Sequence, residues 1–385
     1  MKKAVIAGYG NMGSKYADRI YKGQIEGLSL FGILCRNPKM QDKIRREMPQ
    51  VKIFPHEDSM FEAAEEFDAL IITTPHREHV RMAEKAKAAG LHVLCEKPLG
   101  ITALECGRVV DGRKRLEGAD GDGEPLVEAM IFNWRAREIY RQVKEILERQ
   151  ELGRLHHVLW TANFWYRPEY YHKMSAWRST WNGEGGGLLL NQCQHLMDMW
   201  NWLFGQPSRV FARIRYGRYS SISVDDEATL LFSYENGMEG TFFSSTGDSP
   251  GTNRLEIHGD MGKLTVEDNR VLTFYKNASS TAQVSKTAEE SNPVIPYVKE
   301  SREILQERDE YLIVLQNFAD TIQGKAVPLA GFSDGLRALE NVNAAYLSDW
   351  TKQWVDIPCD ESQYEKCLEV HCKAEKERER ASDKE

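Results

Sequence analysis

Three glycines near the start of the chain have the spacing of a phosphate-binding turn. They lie in Gly8-Tyr9-Gly10-Asn11-Met12-Gly13, directly after a short apolar run. In such a turn the first glycine permits a tight bend, the second lets backbone N–H groups approach a pyrophosphate, and the third allows close packing of the following helix. The N-terminus of that helix attracts the anion. We therefore expect Gly8, Gly10, Asn11, Met12 and Gly13 to bind a dinucleotide.

The segments that follow this turn indicate the fold that positions it. Regular alternation of strands and helices predicts a doubly wound parallel sheet, in which ligands bind at the carboxyl ends of the strands. We interpret residues 1–131 as an NAD(P)-binding Rossmann domain of the α/β class. The strands are predicted at 2–7, 28–35, 51–54, 69–73, 92–95 and 126–131.

The pattern changes after the last of these strands. Alternating apolar and polar residues with turn sequences between 209 and 274 predict a meandering, largely antiparallel sheet. The polar stretch 275–301 is expected to be rich in loops. We expect a second α/β domain over 132–350 and a charged extension over 351–385, which begins as a short amphipathic helix and frays into solvent.

Composition and charge exclude several classes of partner. The net charge is −8, and there is no basic stripe with interleaved aromatics, so we do not expect nucleic acid binding. The apolar runs are too short to span a membrane, and no signal-peptide pattern is recognisable, which predicts a cytoplasmic protein. Seven irregularly spaced cysteines predict reduced thiols. Cys367, His371 and Cys372 lack a second ligand pair, so no metal site is predicted.

The end of the second predicted strand bears on the choice between NAD and NADP. An acidic residue here normally accepts a hydrogen bond from the ribose 2′-hydroxyl of NAD. The sequence instead reads Cys35-Arg36-Asn37. Arg36 could pair with a 2′-phosphate, which favours NADP, or it could stack on the adenine, in which case NAD would also be accepted. We expect these three residues beside the ribose.

Five motifs in register give the chain a family resemblance over roughly residues 1–350. It resembles the glucose-fructose oxidoreductase, inositol dehydrogenase and MocA (Gfo/Idh/MocA) family. The resemblance implies a Rossmann domain, then an α/β domain with a large open sheet, a site between them, and homodimers or homotetramers joined through that sheet. The motifs are the glycine turn, Ile72-Thr73-Thr74-Pro75-His76-Arg77-Glu78-His79, Cys95-Glu96-Lys97-Pro98, Gly185-Gly186-Gly187 leading to His195-Leu196-Met197-Asp198, and Leu255-Glu256-Ile257-His258-Gly259-Asp260-Met261-Gly262.

The same resemblance implies further contacts to the cofactor. They come from the second and third motifs, from an Asn-x-Arg after the last Rossmann strand, and from a Trp-Arg pair before the triple glycine. These residues are Thr74, Pro75, His76, His79, Glu96, Lys97, Asn133, Trp177 and Arg178.

Two residues carry the expected chemistry. Oxidation of an alcohol needs a base for the hydroxyl proton and a cation or donor for the developing alkoxide. Lys97 follows a predicted strand at its carboxyl end, where its ammonium could hydrogen-bond the reacting oxygen. Glu96 is expected to orient Lys97 or the ribose. His195 is the expected acid/base, because histidine titrates near neutral pH.

One expected carboxylate is absent. Many family members carry an Asp one helical turn before this histidine, and this chain has Asn191 there. Asn191 and Gln192 are interpreted as substrate-recognition residues, because amides both donate and accept hydrogen bonds. Asp198 either orients His195 or pairs at the domain interface.

Aromatic residues before the triple glycine indicate the substrate class. Trp165, Tyr166 and Tyr171 lie in a segment dense in aromatic side chains. Such rings pack against the C–H face of a sugar, although they could equally form core or a subunit interface. The cluster as a whole favours a sugar, polyol or glycoside.

The leading hypothesis is therefore an NAD(P)-dependent oxidoreductase that acts on a secondary hydroxyl of a sugar, polyol or glycoside. An NAD-dependent glycoside hydrolase of the same superfamily, acting by transient oxidation and elimination, would use nearly the same residues. A non-catalytic sugar or dinucleotide sensor is a third alternative, and the presence of both Lys97 and His195 argues against it.

Overall fold

The computed structural model describes residues 1–116 and 125–382, and it divides into two compact units. The first contains Met1–Ala136 and Arg308–Leu339. The second contains Arg137–Glu307 and the chain from Glu340 onward. None of the helices in the described residues is long and apolar enough to cross a membrane.

The strands and helices follow one another along the chain with few long connections. The strands are β1 (Lys2–Ala7), β2 (Leu28–Leu34), β3 (Lys52–Phe54), β4 (Ala69–Ile72), β5 (His92–Cys95), β6 (Glu128–Met130), β7 (Leu155–Ala162), β8 (Arg209–Tyr216), β9 (Asp225–Ser233), β10 (Glu239–Ser245), β11 (Asn253–Gly259), β12 (Gly262–Glu267), β13 (Val271–Asn277), β14 (Tyr297–Glu303) and β15 (Val355–Asp356). The helices are α1 (Asn11–Tyr21), α2 (Pro38–Glu47), α3 (Glu57–Phe61), α4 (His79–Ala88), α5 (Ala103–Leu116), α6 (Glu138–Glu148), α7 (Glu169–Lys173), α8 (Gln194–Phe204), α9 (Thr281–Thr287), α10 (Glu310–Thr321), α11 (Phe332–Thr351) and α12 (Glu361–Ser382).

The first unit is built on a six-stranded parallel sheet in the order β3-β2-β1-β4-β5-β6. Its central strands are apolar and fully buried, as in β4, because helices cover both faces of a parallel sheet. The strand order reverses between β1 and β4. Sheets of this kind bind ligands in a crevice outside the carboxyl ends of the strands at such a point. The predicted α/β fold is confirmed.

Helix α10 belongs to the first unit although it follows most of the second unit in the chain. Its buried side chains, Val314, Leu315, Phe318 and Ala319, pack in one apolar core that also contains Ala17 of α1. The structure thus divides the chain differently from the predicted boundaries at residues 131 and 350. The apolar face of α10 predicts a helix that needs a partner, but it does not say which sheet provides it.

The second unit contains a nine-stranded sheet in the order β14-β13-β12-β11-β7-β10-β9-β8-β15. Strands β7 and β10 pair in parallel and the other neighbours are antiparallel. One face is covered by a buried aromatic core in which Trp160, Trp200 and Phe242 contact one another. The expected mostly antiparallel sheet is therefore confirmed, with one parallel pair at its centre.

The stretch expected to be loop-rich, 275–301, contains regular structure. Strand β13 extends into it, and it also holds helix α9 and most of the edge strand β14. Every residue of β14 is exposed, and it carries charged side chains such as Lys299 and Glu300, which protect an edge from pairing with another chain. The prediction failed here because a strand exposed on both faces has no apolar alternation.

The expected frayed tail is instead the long helix α12, which packs against the second unit. Leu368 and Tyr364 are buried, and the His371 ring lies 4.7 Å from the Trp350 ring. The buried carboxylate of Glu375 accepts hydrogen bonds from the backbone N–H groups of Trp181 and Asn182, at 2.9 and 2.8 Å. This correction has a physical reason: the charges lie on the exposed face, and the contacts on the other face are made with residues distant in the sequence.

Two aliphatic residues of α12 allow its docking to be tested. Leu368 is 7% exposed and Val370 is 64% exposed. We expect Leu368→Ala to destabilise the protein by about 2–4 kcal/mol, because it removes buried methyl groups and leaves a cavity. Val370→Ala is the control and should change the free energy of unfolding by less than about 0.5 kcal/mol. Denaturant unfolding measures both, and equal effects would show that α12 is not docked.

Candidate active site

The glycine turn between β1 and α1 is closed so tightly that two of its positions exclude a side chain. Gly8 has φ +100°, a conformation that residues with a Cβ rarely adopt. A Cβ at Gly13 would lie 2.2 Å from the Gly8 carbonyl oxygen and 2.5 Å from Thr73 Oγ1. Thr73 Oγ1 itself donates to that carbonyl at 2.9 Å. The ends of β1 and β4 and the start of α1 are therefore in direct contact.

The second glycine of the turn, Gly10, borders open space. A Cβ there would meet no heavy atom of the described residues within 4 Å. Gly10 is the N-cap of α1, no described side chain caps this helix, and its first turn has no acidic residue. The first-turn N–H groups of Asn11, Met12 and Gly13 have no intrahelical partners. An open cradle in front of uncapped N–H groups fits the pyrophosphate of a dinucleotide.

Of the three residues predicted beside the ribose, Arg36 has an exposed side chain that does not cap a helix. Asn37 caps α2, accepting from the backbone N–H groups of Lys39 and Met40, and Cys35 is buried. Arg36 is 68% exposed, with Nη2 3.9 Å from Glu57 Oε2. Hydrogen bonds from Arg81 lower the pKa of Glu57 to about 2, so this carboxylate is ionised at neutral pH.

His79 joins the turns that follow β4 and β5. Its ring nitrogens lie 2.7 Å from the carbonyl oxygens of Pro98 and Thr74, and the side chain is fully buried. Burial lowers the pKa of His79. The geometry gives this predicted cofactor contact a structural role in shaping the site. The Thr74 hydroxyl is buried without a hydrogen-bond partner among the described residues, and His76 is buried next to His79.

Glu96 orients the backbone of Lys97. The buried Glu96 carboxylate accepts from the Lys97 N–H at 3.1 Å and from the Tyr16 hydroxyl at 2.5 Å. Burial raises the pKa of Glu96, and the charge of Lys97 opposes that shift. Because Tyr16 lies on α1, the helix behind the glycine turn is tied to the candidate catalytic lysine. Sequence reasoning missed Tyr16, whose apolar surroundings give it only the signal of a core residue.

The remaining first-unit prediction, Asn133, is buried and donates through Nδ2 to Glu310 at 2.5 Å. The first unit thus brings together the glycine turn and the turns after β4 and β5, and it also contains Asn133. The other predicted residues belong to the second unit.

In the second unit, the triple-glycine segment is anchored by Asp225. This buried carboxylate accepts from the N–H groups of Gly187 and Leu189, both at 2.7 Å, and from the Tyr346 hydroxyl at 2.5 Å. Burial raises the pKa of Asp225. A π-helical turn, Leu188–Gln192, follows before α8 begins. The segment from the triple glycine to the end of α8 is therefore not one continuous α-helix, and such turns are frequent at functional sites.

This turn brings Asn191 and Gln192 to Tyr171. The Tyr171 hydroxyl oxygen accepts from Arg178 Nη1 at 2.7 Å, Gln192 Nε2 at 2.9 Å and Asn191 Nδ2 at 3.4 Å. The guanidinium groups of Arg178 and Arg167 lie 4.6 and 4.5 Å from the centre of the Tyr171 ring. Four predicted residues between positions 171 and 192 therefore form one polar cluster, with two guanidinium groups beside the Tyr171 ring.

The other predicted residues of the second unit lie around this segment. His195 is in the first turn of α8 and partly buried, and Asp198, on the same helix, is fully buried. Trp177 lies next to Arg178, whose guanidinium is 5.1 Å from its ring. The Trp165 ring packs on Phe164 with a centroid distance of 4.2 Å, and Tyr166 is 54% exposed.

Two family models match successive parts of the chain. One, described as an oxidoreductase family with an NAD-binding Rossmann fold, covers residues 2–118, and the other, the GFO/IDH/MocA C-terminal domain, covers residues 140–265. The chain belongs to the Gfo/Idh/MocA family. It is an NAD-binding oxidoreductase with sugar dehydrogenases among its relatives.

Three similar proteins illustrate the range of the family. Levoglucosan dehydrogenase of Pseudarthrobacter phenanthrenivorans is 24% identical over 330 residues, which is 74% of this chain and 79% of that protein. Glucose-6-phosphate 3-dehydrogenase of Bacillus subtilis is 23% identical over 93% of this chain and 99% of its own. The structure of the WlbA dehydrogenase from Bordetella pertussis, in complex with NADH and UDP-GlcNAcA, superposes with a TM-score of 0.75 at 20% identity, covering 93% of this chain and 99% of that one.

Two glycine substitutions separate cofactor binding from folding. We expect Gly10→Ala to cost at most about 1 kcal/mol of stability, because its Cβ meets open space and only the poorer N-cap preference of alanine is added. It should weaken NADH binding at least tenfold, or about 1.4 kcal/mol, because that space is where the pyrophosphate approaches. Gly13→Ala should lower the thermal midpoint as well, since its Cβ meets backbone and the Thr73 side chain. Fluorescence titration with NADH and thermal unfolding measure the two effects. Wild-type NADH affinity in Gly10→Ala would contradict the assignment of this turn.

Proposed function

We propose that this protein transfers hydride between NAD or NADP and a secondary hydroxyl of a sugar, polyol or glycoside. The observation that carries the proposal is the placement of Lys97. It follows the carboxyl end of β5, and Glu96 ties its backbone to α1, whose N-terminus is the glycine turn. A cation held in this way beside a dinucleotide cradle suits the stabilisation of an alkoxide.

The roles of the chain's own residues follow from their chemistry. The bound nicotinamide supplies the hydride acceptor or donor. Lys97 hydrogen-bonds the substrate oxygen whose charge changes during the reaction, and His195 takes or returns its proton. The glycine turn, Thr74 and Asn133 hold the dinucleotide, and Arg36 holds its ribose or a 2′-phosphate.

The polar cluster around Tyr171 favours a polyhydroxylated substrate. Asn191 and Gln192 present amides, and Tyr171 and Arg178 add a hydroxyl and a cation, which together match the hydroxyl groups of a sugar ring. The sugar dehydrogenases among the relatives support the same class. Trp165 and Tyr166 are proposed to supply the aromatic surface.

We also propose that the protein is a homo-oligomer joined through the outer face of the nine-stranded sheet. Leu159 on β7 and Leu231 on β9 are 40% and 39% exposed, and both pair with Thr241 of β10. The two leucines flank Thr241 on one face of the sheet, and exposed apolar patches of this kind mark candidate interfaces. A monomer in light scattering would contradict this proposal.

A spectroscopic assay tests the proposed reaction. The purified protein is incubated with NAD or NADP and levoglucosan, glucose 6-phosphate, myo-inositol or nitrophenyl glycosides, while the absorbances of the reduced nicotinamide and of free nitrophenol are followed. Substrate-dependent formation of reduced cofactor is expected. Nitrophenol release without net reduction would favour the redox-neutral glycoside hydrolase, and binding without either signal would favour a sensor.

The role of Lys97 is tested by Lys97→Met. We expect turnover to fall by a factor of about 10²–10³, because the stabilisation of charge on the reacting oxygen is lost, while NADH binding persists. Lys325→Met, at an exposed position of the same unit, is the matched control and should keep full activity. Full activity in Lys97→Met would remove this residue from the mechanism.

The substitution Arg36→Ala tests whether Arg36 binds the 2′-phosphate of NADP. If Arg36 pairs with a 2′-phosphate, the substitution should weaken NADPH binding by about 1–2 kcal/mol more than NADH binding, since charged hydrogen bonds are the stronger ones. The two affinities are measured by fluorescence titration. Equal losses for the two cofactors would show that Arg36 stacks on the adenine, and no loss for either would show that it does not contact the cofactor.

A further inference from the structure

A buried carboxylate that is not one of the family motif residues named above lies at the centre of the second-unit cluster. Glu184 is 1% exposed. Its Oε2 accepts from the Ser179 backbone N–H at 2.7 Å, and its Oε1 accepts from Asn191 Nδ2 at 2.5 Å. Arg178 Nη1 lies 3.7 Å from Oε1. Burying a carboxylate is costly, so such a group is retained only with several donors around it.

The hydrogen bond from Ser179 to Glu184 fixes the backbone next to Arg178. Ser179, the next residue, has φ +55°, a left-handed conformation that is uncommon for a residue with a side chain. Glu184 holds its N–H, and His172 Nδ1 lies 2.6 Å from its hydroxyl oxygen. A conformation of this kind persists where the surroundings enforce it, and it is frequent at functional sites.

The hydrogen bond from Asn191 to Glu184 fixes the orientation of the Asn191 amide. A carboxylate only accepts hydrogen bonds, so the Asn191 amide must turn its NH₂ group toward Glu184. That same NH₂ group is 3.4 Å from the Tyr171 hydroxyl oxygen. An aspartate at position 191 would place two carboxylates in contact. An amide at position 191 therefore suits the neighbouring Glu184, whereas an acid would not.

Arg178 and Asn191, the two residues that Glu184 positions, both contact Tyr171. Its hydroxyl oxygen, which has two lone pairs, faces N–H donors from Arg178, Gln192 and Asn191. With its accepting capacity used, this hydroxyl can interact with a ligand only by donating its hydrogen. We propose that Glu184 is a positioning residue, which holds Arg178 and Asn191 on the Tyr171 oxygen and so directs the Tyr171 O–H toward an oxygen atom of the substrate. This inference rests on the proposed sugar oxidoreductase function.

A double-mutant cycle at positions 184 and 191 tests the proposal. The variants are Glu184→Gln, Asn191→Asp and the double variant, assayed with whichever probe sugar gives turnover with the wild type. Each single variant should lower kcat/KM by about 10–100-fold, because it leaves a buried polar group mispaired, while NADH affinity stays unchanged. The double variant restores one donor and one acceptor, so its loss should be smaller than the product of the single losses.

Glu375→Gln is the matched control. Glu375 is also a buried carboxylate that accepts from this segment, through the N–H groups of Trp181 and Asn182, and it also accepts from the side chains of Asn182 and Ser223, which are not part of the Tyr171 cluster. We expect it to lower the thermal midpoint and to leave kcat/KM near the wild-type value. Multiplicative losses in the cycle, or the same kinetic loss in Glu375→Gln, would overturn the proposal, because Glu184 would then act only by ordering the loop.

Crystal structures separate this proposal from the proposed function. If the wild type turns over none of the probe sugars, the proposed activity on sugars fails, and Glu184 is judged on the structures of wild type and Glu184→Ala. We expect the variant to lose the left-handed conformation at Ser179 and the hydrogen bond from Arg178 to Tyr171. If Arg178, Asn191 and Gln192 still converge on Tyr171, the positioning role is wrong.

Discussion

The close contact between the start of α1 and the ends of β1 and β4 is the constraint on which the first unit depends. Gly13 has no room for a Cβ because the Gly8 carbonyl and the Thr73 hydroxyl occupy that space. This contact holds the uncapped N-terminus of α1 over the crevice where the strand order reverses. Tyr16, one turn along the same helix, then reaches Glu96 and thereby Lys97.

Buried carboxylates repeat this connecting role across the molecule. Glu96 joins α1 to the candidate catalytic lysine, Asp225 holds the triple-glycine segment, and Glu184 joins Ser179 to Asn191. Each accepts at least one backbone N–H from the segment that it positions. A charged acceptor makes stronger hydrogen bonds than a neutral one, and burial makes a missing partner costly, so these groups hold functional segments in a single arrangement.

Much of the fold could be predicted because its signals are local. The apolar strands of the parallel sheet and the glycine turn are each specified by a few consecutive residues, and the motif around Lys97 is equally short. The prediction failed for β14, which is exposed on both faces and has no apolar alternation, and for α12, whose buried contacts are made with residues far away in the chain. It also misassigned α10, because an apolar helix face does not name the core that it joins.

The sequence by itself determined the family, the dinucleotide turn and the types of the candidate catalytic residues, since spacing along the chain carries that information. Only the tertiary structure decided how the polar residues pair. In the structure Asn37 caps helix α2, and both ring nitrogens of His79 lie within hydrogen-bond distance of backbone carbonyls. Glu184 accepts a hydrogen bond from Asn191. The reason is geometric: a hydrogen bond depends on distance and direction in space, and residues that share one are often separated by long stretches of chain.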